Sequence, residues 1–405
     1  MASGQMVPSD RTFAPTNGQY AAEYAYHSVP ANPGDSVAVA VEQDASQVPQ
    51  GRAVGDCQAL CSMLCNWTNL LLVCVPLGFI SHLRDWGCLA VFSLNFLAIV
   101  PLVHTGQMIG GLLNATFGNA VEMIVTVNAI KAGLVTVVQG SLIGSVLSNL
   151  LLVLGMAFFA SGVVRKENCF NEMGASANVI CLALGSVALA LPTVFNGLEN
   201  TSKQDVLAVS RASSGVVAAI YVCFLVFQLG THSDMFLGGE DEEEEVTLSA
   251  LCALLVLIGA TVAVAACSEL LVDSIEGVTE DYGLPEAFIG VILLPIVGNA
   301  AEHATAVTVA IKGKMDLSLG VAVGSSTQIA LLVVPFSVFV GWAYDVPMSL
   351  DFRRFDTSVL LLSVLMVSLV LRDGSSNWLQ GAILMAIYLL VAILCWYIPP
   401  REEAG

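Results

Sequence analysis

The feature that most constrains this chain is a series of apolar runs, each about 20 residues long, recurring from Trp67 to Ile398. A run of that length crosses the roughly 30 Å hydrocarbon core of a bilayer as one helix. Inside lipid the backbone must satisfy its own N–H and C=O groups, so each run reads as a membrane-spanning helix. Of 405 residues 56% are hydrophobic and 12% charged, about half the charge of a soluble domain. The expected fold is an all-α polytopic membrane protein with about eleven transmembrane helices, and its first partner is the lipid bilayer. The spans read near 67–82, 88–103, 109–131, 138–162, 176–195, 213–231, 248–274, 286–312, 318–343, 357–372 and 379–398.

The segments around the spans divide the chain. Residues 1–64 mix Pro, Gly, Ser and Gln with scattered acids, the composition of a disordered tail, and lack the basic start and apolar run of a cleavable signal. Residues 65–231 form a first transmembrane half, 232–247 a linker, 248–398 a second half and 399–405 a short tail. The linker holds Glu240-Asp241-Glu242-Glu243-Glu244-Glu245, which reads as a solvated connection or as a cation-attracting mouth. The net charge of −19 lies mainly in tail and loops and disfavours a nucleic-acid partner. Eleven Cys, among them Cys74, Cys181, Cys223, Cys252 and Cys267, show no zinc spacing and read as small buried apolar residues. Basic residues divide seven against seven between the two sides, so charge does not orient the chain. The sequon at Asn200 favours an internal N-terminus only weakly.

Two apolar runs carry an acid. Gly118-Asn119-Ala120-Val121-Glu122 and Gly298-Asn299-Ala300-Ala301-Glu302-His303 recur 180 residues apart, and Gly140, Gly144 and Ser145 fall on Gly320, Gly324 and Ser325 at the same offset. An ionisable group at mid-membrane costs about 2.5–3.5 kcal/mol on insertion scales and marks an ion path. Five spans separate the equivalent points, an odd number, so the second copy enters the membrane from the opposite side. The plan is one extra N-terminal helix plus two inverted five-helix repeats, with a site where the repeats meet.

The chemistry follows from the residue types. Asn119, Glu122 and Thr126 share a helix face, as Asn299, Glu302 and His303 crowd another. Gly118 and Gly298 weaken the helix just before each Asn and would free carbonyl oxygens. Ser145, Ser148 and Asn149 in one half, and Ser325, Ser326, Thr327 and Gln328 in the other, add oxygens from neighbouring spans or simply pack there. Hard oxygens with two carboxylates, Glu122 and Glu302, suit Ca²⁺ better than zinc or copper. Two acids close together in low dielectric cannot both stay ionised, so an emptied pair takes up protons, and Ca²⁺ and H⁺ compete. A sodium-driven carrier could use similar groups. No cofactor is called for beyond the transported ions. An intramembrane metalloenzyme would need a motif such as His-Glu-x-x-His, absent among the five His, so no enzyme activity is expected.

These motifs resemble the calcium/proton exchanger family of the calcium/cation antiporter superfamily. The resemblance rests on residues 110–122, 140–155 (GSLIGSVLSNLLLVLG), 294–312 (LPIVGNAAEHATAVTVAIK) and 320–331 (GVAVGSSTQIAL), with Ser268-Glu269-Leu270-Leu271-Val272-Asp273-Ser274. It implies eleven helices, a dispensable first helix, an acidic segment joining the halves, and residence in a vacuolar or similar acidic endomembrane. It also implies that Glu122 and Glu302 are the ion-exchanging acids and that His303 matches a functionally sensitive motif histidine, read here as a modulator or second proton group, or else a plain core histidine. The leading reading is an antiporter of Ca²⁺, with Mn²⁺ as a further cargo, for H⁺, with Glu269 and Asp273 as supporting acids. Homo-oligomerisation is left open. There is one departure: the family carries an acidic stretch before its first motif, whereas Pro101-Leu102-Val103-His104-Thr105-Gly106 runs almost straight into Gly110-Gly111. Cys88 to Gly118 is 30 positions against 49 from Ser249 to Gly298, a shortfall of 19 residues. The alternative is therefore a transport-impaired variant, or a membrane protein that keeps the fold without transporting.

Overall fold

Long apolar runs do become helices, and the few polar residues at their ends decide where they start. The computed structural model describes residues 67–109, 119–232 and 250–399. A 3₁₀ segment (Trp67–Val73) leads into α1 (Cys74–Leu83), followed by α2 (Cys88–Ile109) and α3 (Ala120–Lys131). Then come α4 (Val135–Val164), α5 (Glu172–Asn196) and α6 (Lys203–Thr231). The second half begins with α7 (Ala250–Asp273) and α8 (Ile275–Tyr282). It continues with α9 (Glu286–Gly298), α10 (Ala300–Ile311), α11 (Met315–Ala343), α12 (Arg354–Leu371) and α13 (Trp378–Tyr397). Among the described residues seven helices are long and apolar enough to cross a membrane, and the bent pair α9–α10 makes an eighth. The other apolar stretches are shorter, Leu70–Leu83 and Cys88–Leu102, together with α3.

Three boundaries differ from the sequence reading. The sixth helix starts at Lys203 rather than near 213, because Ser202 and Asp205 cap each other reciprocally in a capping box. The first span is a helix of only ten residues behind its 3₁₀ segment. The loop after the seventh span contains α8, closed by Gly283 in the left-handed region (φ 67°). The tail, the linker with its acidic run, the stretch 110–118 and the last residues lie outside the described ones.

Contacts between loops sort the helix ends onto two faces. On one, the ammonium of Lys131, at the end of α3, lies 5.5 Å from the ring centre of Tyr344, at the end of α11. On the other, Arg165, at the end of α4, donates to the carbonyl of Ile311, at the end of α10 (3.3 Å). Helix α4 has 30 residues and so runs about 45 Å from one face to the other. Helices α3 and α10 therefore point in opposite directions, the inversion that the odd number of spans demands.

Each face carries a pinned loop. The loop after α4 pairs with the one between α12 and α13 in a two-stranded antiparallel ladder, β1 (Asn168–Cys169) against β2 (Ser375–Ser376), with Asn168 opposite Ser376. The backbone N–H of Asn171 donates to Asp316 Oδ1 (2.6 Å). On the opposite face the loop after α11 is tucked inward, burying Met348, Leu350 and Phe352. It is held by Gln139 Nε2 to the Ser349 carbonyl (2.9 Å), and by its own Leu350 N–H donating to Ser210 Oγ (2.9 Å).

Candidate ion-binding site

The second motif breaks its helix, and the Asn of the first motif shares the backbone geometry of that break. Helix α9 ends at Gly298, α10 begins at Ala300, and the axes bend by 55°. Asn299 sits between them at φ −95°, ψ 15°, and Asn119 has nearly the same geometry, φ −99°, ψ 15°, before α3. Each Asn occupies an N-cap position, where its side chain would ordinarily accept a bond from the next turn. Neither does so. Glu122 and Glu302 fall in the first turns of α3 and α10, where unsatisfied N–H groups and the helix dipole favour negative charge. Both carboxylates are buried, 6% and 4% exposed, deep inside a membrane protein. Gly118 lies outside the described residues, so its half of the expected helix break is not seen.

Instead of capping, each Asn reaches across to the other repeat. Asn119 Nδ2 donates to Gln328 Oε1 (2.7 Å) and Asn119 Oδ1 accepts from Ser325 Oγ (3.4 Å). Asn299 Nδ2 donates to Ser148 Oγ (2.6 Å) and to the Ser145 carbonyl (3.2 Å). Positions 148 and 328, like 145 and 325, are equivalent at the 180-residue offset. The four contacts join the same pairs of positions twice, although Asn119 accepts from the Ser325 hydroxyl where Asn299 donates to the Ser145 carbonyl. Asn149 Nδ2 adds a bond to Ser325 Oγ (3.3 Å), closing a chain that links Asn149, Ser325, Asn119 and Gln328. The backbone beside it carries a π-helical turn at Ser148–Val153 in α4 and another at Ile329–Val333 in α11, a distortion common at functional sites.

What this network leaves open is an array of oxygen acceptors. Among the described residues, both Glu122 carboxylate oxygens, Asn149 Oδ1 and Asn299 Oδ1 are buried without a hydrogen-bond donor. An acceptor buried without a donor costs about 1–3 kcal/mol, more if charged. A bound cation, which wants oxygen lone pairs, removes that cost. Glu122 also abuts the second motif: a Cβ on Gly298 would sit 3.2 Å from Glu122 Oε1. The glycine thus makes room for the opposite carboxylate. Gly298→Ala is expected to raise the KM for the transported cation about tenfold through this crowding, read as initial uptake rate against cation concentration. An unchanged KM would mean that Glu122 is free to swing away.

The remaining expected residues divide clearly. His303 Nδ1 contacts the Asn299 carbonyl, which also accepts from the His303 backbone N–H (3.0 Å). That carbonyl is consumed by the helix rather than freed as a ligand. His303 Nε2 is buried without a partner among the described residues and adjoins the site. Ser326 Oγ bonds back to the Ala322 carbonyl, and Thr327 Oγ1 to those of Val323 and Asn178, which is helix packing. Thr126 is buried on the Glu122 helix. Glu269 and Asp273, expected as supporting acids, are exposed on α7 rather than buried with the glutamates. Asn128 was missed by the sequence reading. Its side chain joins α3 to α7 through Ser268 Oγ (2.7 Å) and the Ala265 carbonyl (3.1 Å). The available signal was one more amide in an apolar run.

The first-half shortfall is visible as missing chain. Between α7 and Asn299 the second half fits α8 and the 13-residue α9. Between α2 and Asn119 the first half has only residues 110–118. Nine positions are too few to repeat both α8 and α9.

Duplicated acids in the first turns of α3 and α10, set among buried oxygens that have no donor among the described residues, define a membrane carrier for ions. The chain belongs to the sodium/calcium exchanger protein family, whose profile matches residues 68–230 and 252–397. It is 40% identical over 357 residues to the vacuolar calcium ion transporter of Schizosaccharomyces pombe, spanning 83% of this chain and 86% of that protein. It is 44% identical over 365 residues to a Ca²⁺/H⁺ antiporter of Synechocystis, spanning 82% and 97%. The crystal structure of the selenium-substituted Ca²⁺/H⁺ antiporter YfkE is similar with a TM-score of 0.71 at 38% identity, over 81% of this chain and 98% of that one.

Proposed function

We propose that this chain is a secondary antiporter that exchanges Ca²⁺ for H⁺ across an acidic endomembrane such as the vacuole's, by alternating access, with Glu122 and Glu302 as the shared ion and proton site. The observation that carries this reading is the buried oxygen array around Glu122, Asn149 and Asn299, which has no hydrogen-bond donor among the described residues. Hard oxygens with two carboxylates suit Ca²⁺ and would also accept Mn²⁺. When Ca²⁺ leaves, protons take its place on the carboxylates, and neutralisation by either ion lets the carrier reorient. The names of the relatives support the ion pair and the membrane. Family membership supports a transporter rather than an enzyme.

A second reading, a protein that keeps the fold but transports poorly, draws on the shorter stretch before Asn119, nine residues against 25 before Asn299. Vesicles containing the full chain separate the two. An imposed pH gradient, acid inside, is expected to drive ⁴⁵Ca²⁺ uptake that collapses with a protonophore. Acidifying the side from which Ca²⁺ binds raises its KM, because protons then occupy the carboxylates. Absence of uptake from vesicles holding folded protein would establish the second reading.

A further inference from the structure

The contacts of Lys131 with Tyr344 and of Arg165 with Ile311 lie at opposite faces of the carrier. At the 180-residue offset, Lys131 is equivalent to Ile311, Gly133 to Gly313, and Tyr344 to Val164, next to Arg165. Gly133 and Gly313 both adopt positive φ, 78° and 87°, so the turns after α3 and α10 share one geometry. Each turn is gripped by the end of a long helix from the other half. On one face the cation belongs to the motif helix: Lys131 lies against the Tyr344 ring. On the other it belongs to the partner: Arg165 donates to the Ile311 carbonyl and covers Gly313, where a Cβ would come within 2.6 Å of Nη1.

We infer that these two contacts are opposed clasps, each holding shut one entrance to the ion site, and that Arg165 and Lys131 set the balance between the carrier's two orientations. They are positioning residues that touch no ion. The motif helices α3 and α10 carry Glu122 and Glu302 at one end and a clasp at the other. Each clasp fastens its helix to a loop that is itself anchored, by the β1–β2 ladder on one face and by the Gln139 and Ser210 contacts on the other. Opening a face requires the motif helix that ends there to leave its anchor. The two clasps differ in chemistry, a charged hydrogen bond to a helix-terminal carbonyl against a cation over a ring, so releasing them need not cost the same. Identical clasps would hold the two faces equally, whereas unlike ones let one orientation be favoured.

This inference rests on the alternating-access reading, and its signature is a pair of opposite signs. In vesicles, Arg165→Ala is expected to lower the KM for Ca²⁺ offered on the Arg165 face by about two- to fivefold. Lys131→Ala is expected to raise that same KM by a similar factor, and the double variant to return close to wild type. General loosening of the fold would move both single variants the same way. Shifts of the same sign, or none in folded and active variants, would overturn the inference. Hydrogen exchange on the reconstituted protein gives a second readout that needs no transport. Arg165→Ala should speed exchange along 299–311 and Lys131→Ala along 119–131, each leaving the other segment unchanged. Unchanged exchange in both variants would equally overturn it. A wild-type protein that fails to transport yet shows these exchange shifts would reject the proposed function and keep the clasps.

Discussion

Glu302→Gln is expected to reduce proton-driven Ca²⁺ uptake by on the order of a hundredfold or more. Glutamine keeps the shape of the side chain and one oxygen, so packing around α10 survives. It removes a full negative charge from a buried site whose cargo is doubly positive, and losing one partner of a buried charged pair costs about 3–5 kcal/mol. It also removes a group that can trade Ca²⁺ for a proton. Affinity and coupling therefore fail together. Uptake should be compared at equal amounts of reconstituted protein, with the elution profile in detergent confirming the fold. A variant that keeps half the wild-type rate would show that Glu122 suffices and that the duplicated motif is not one divided site.

Gly144→Val is expected to have the other large effect, on folding rather than transport. Gly144 lies where α4 crosses α9, and a Cβ there would collide with the Val291 backbone carbonyl and come within 2.6 Å of Pro295 Cγ. The carbonyl belongs to the chain and cannot rotate away. Gly140 and Gly290 meet one turn along the same crossing, where a Cβ on Gly140 would lie 3.4 Å from the Gly290 backbone. The helices meet backbone to backbone, with no slack. Overpacking of this kind costs about 1–3 kcal/mol and occasionally more, so the variant should aggregate in detergent or melt well below wild type. Gly215→Ala is the control: nothing lies within 4 Å of the added carbon on exposed α6, and alanine improves helix propensity by about 1 kcal/mol. Equal melting of Gly144→Val and wild type would mean that α4 and α9 are not closely apposed in the membrane.

The sequence carried the architecture because membrane physics leaves few options. Long apolar runs must be helices, and a pattern as unusual as Gly-Asn-x-x-Glu, met twice, announces duplication. The parity of the intervening spans then sets the inversion. The pairing of Asn119 with Gln328 and of Asn299 with Ser148 was beyond reach, since helix periodicity assigns a face but not the neighbour on it. For the same reason the sequence did not tell that Glu269 and Asp273, read as supporting acids, are exposed on α7. The start of α6 was misplaced because Lys203, Asp205 and Arg211 look unfit for lipid, although Ser202 and Asp205 at capping-box spacing were there to be read. Helix α8 was overlooked for lack of an apolar run: its eight residues hold three acids and only two buried side chains, Ile275 and Val278.

The β1–β2 ladder has a mechanical consequence. It joins the loop that follows α4 to the loop that precedes α13, one from each half, with Asn168 opposite Ser376 and Cys169 opposite Ser375. A joint at one end of two bodies removes their freedom to separate there and leaves rotation about the joint. Nothing comparable between strands is described on the opposite face, where side chains do the holding. The ladder thus ties the end of α4 to the start of α13 on one face, so a movement that opens that face has to carry both loops together.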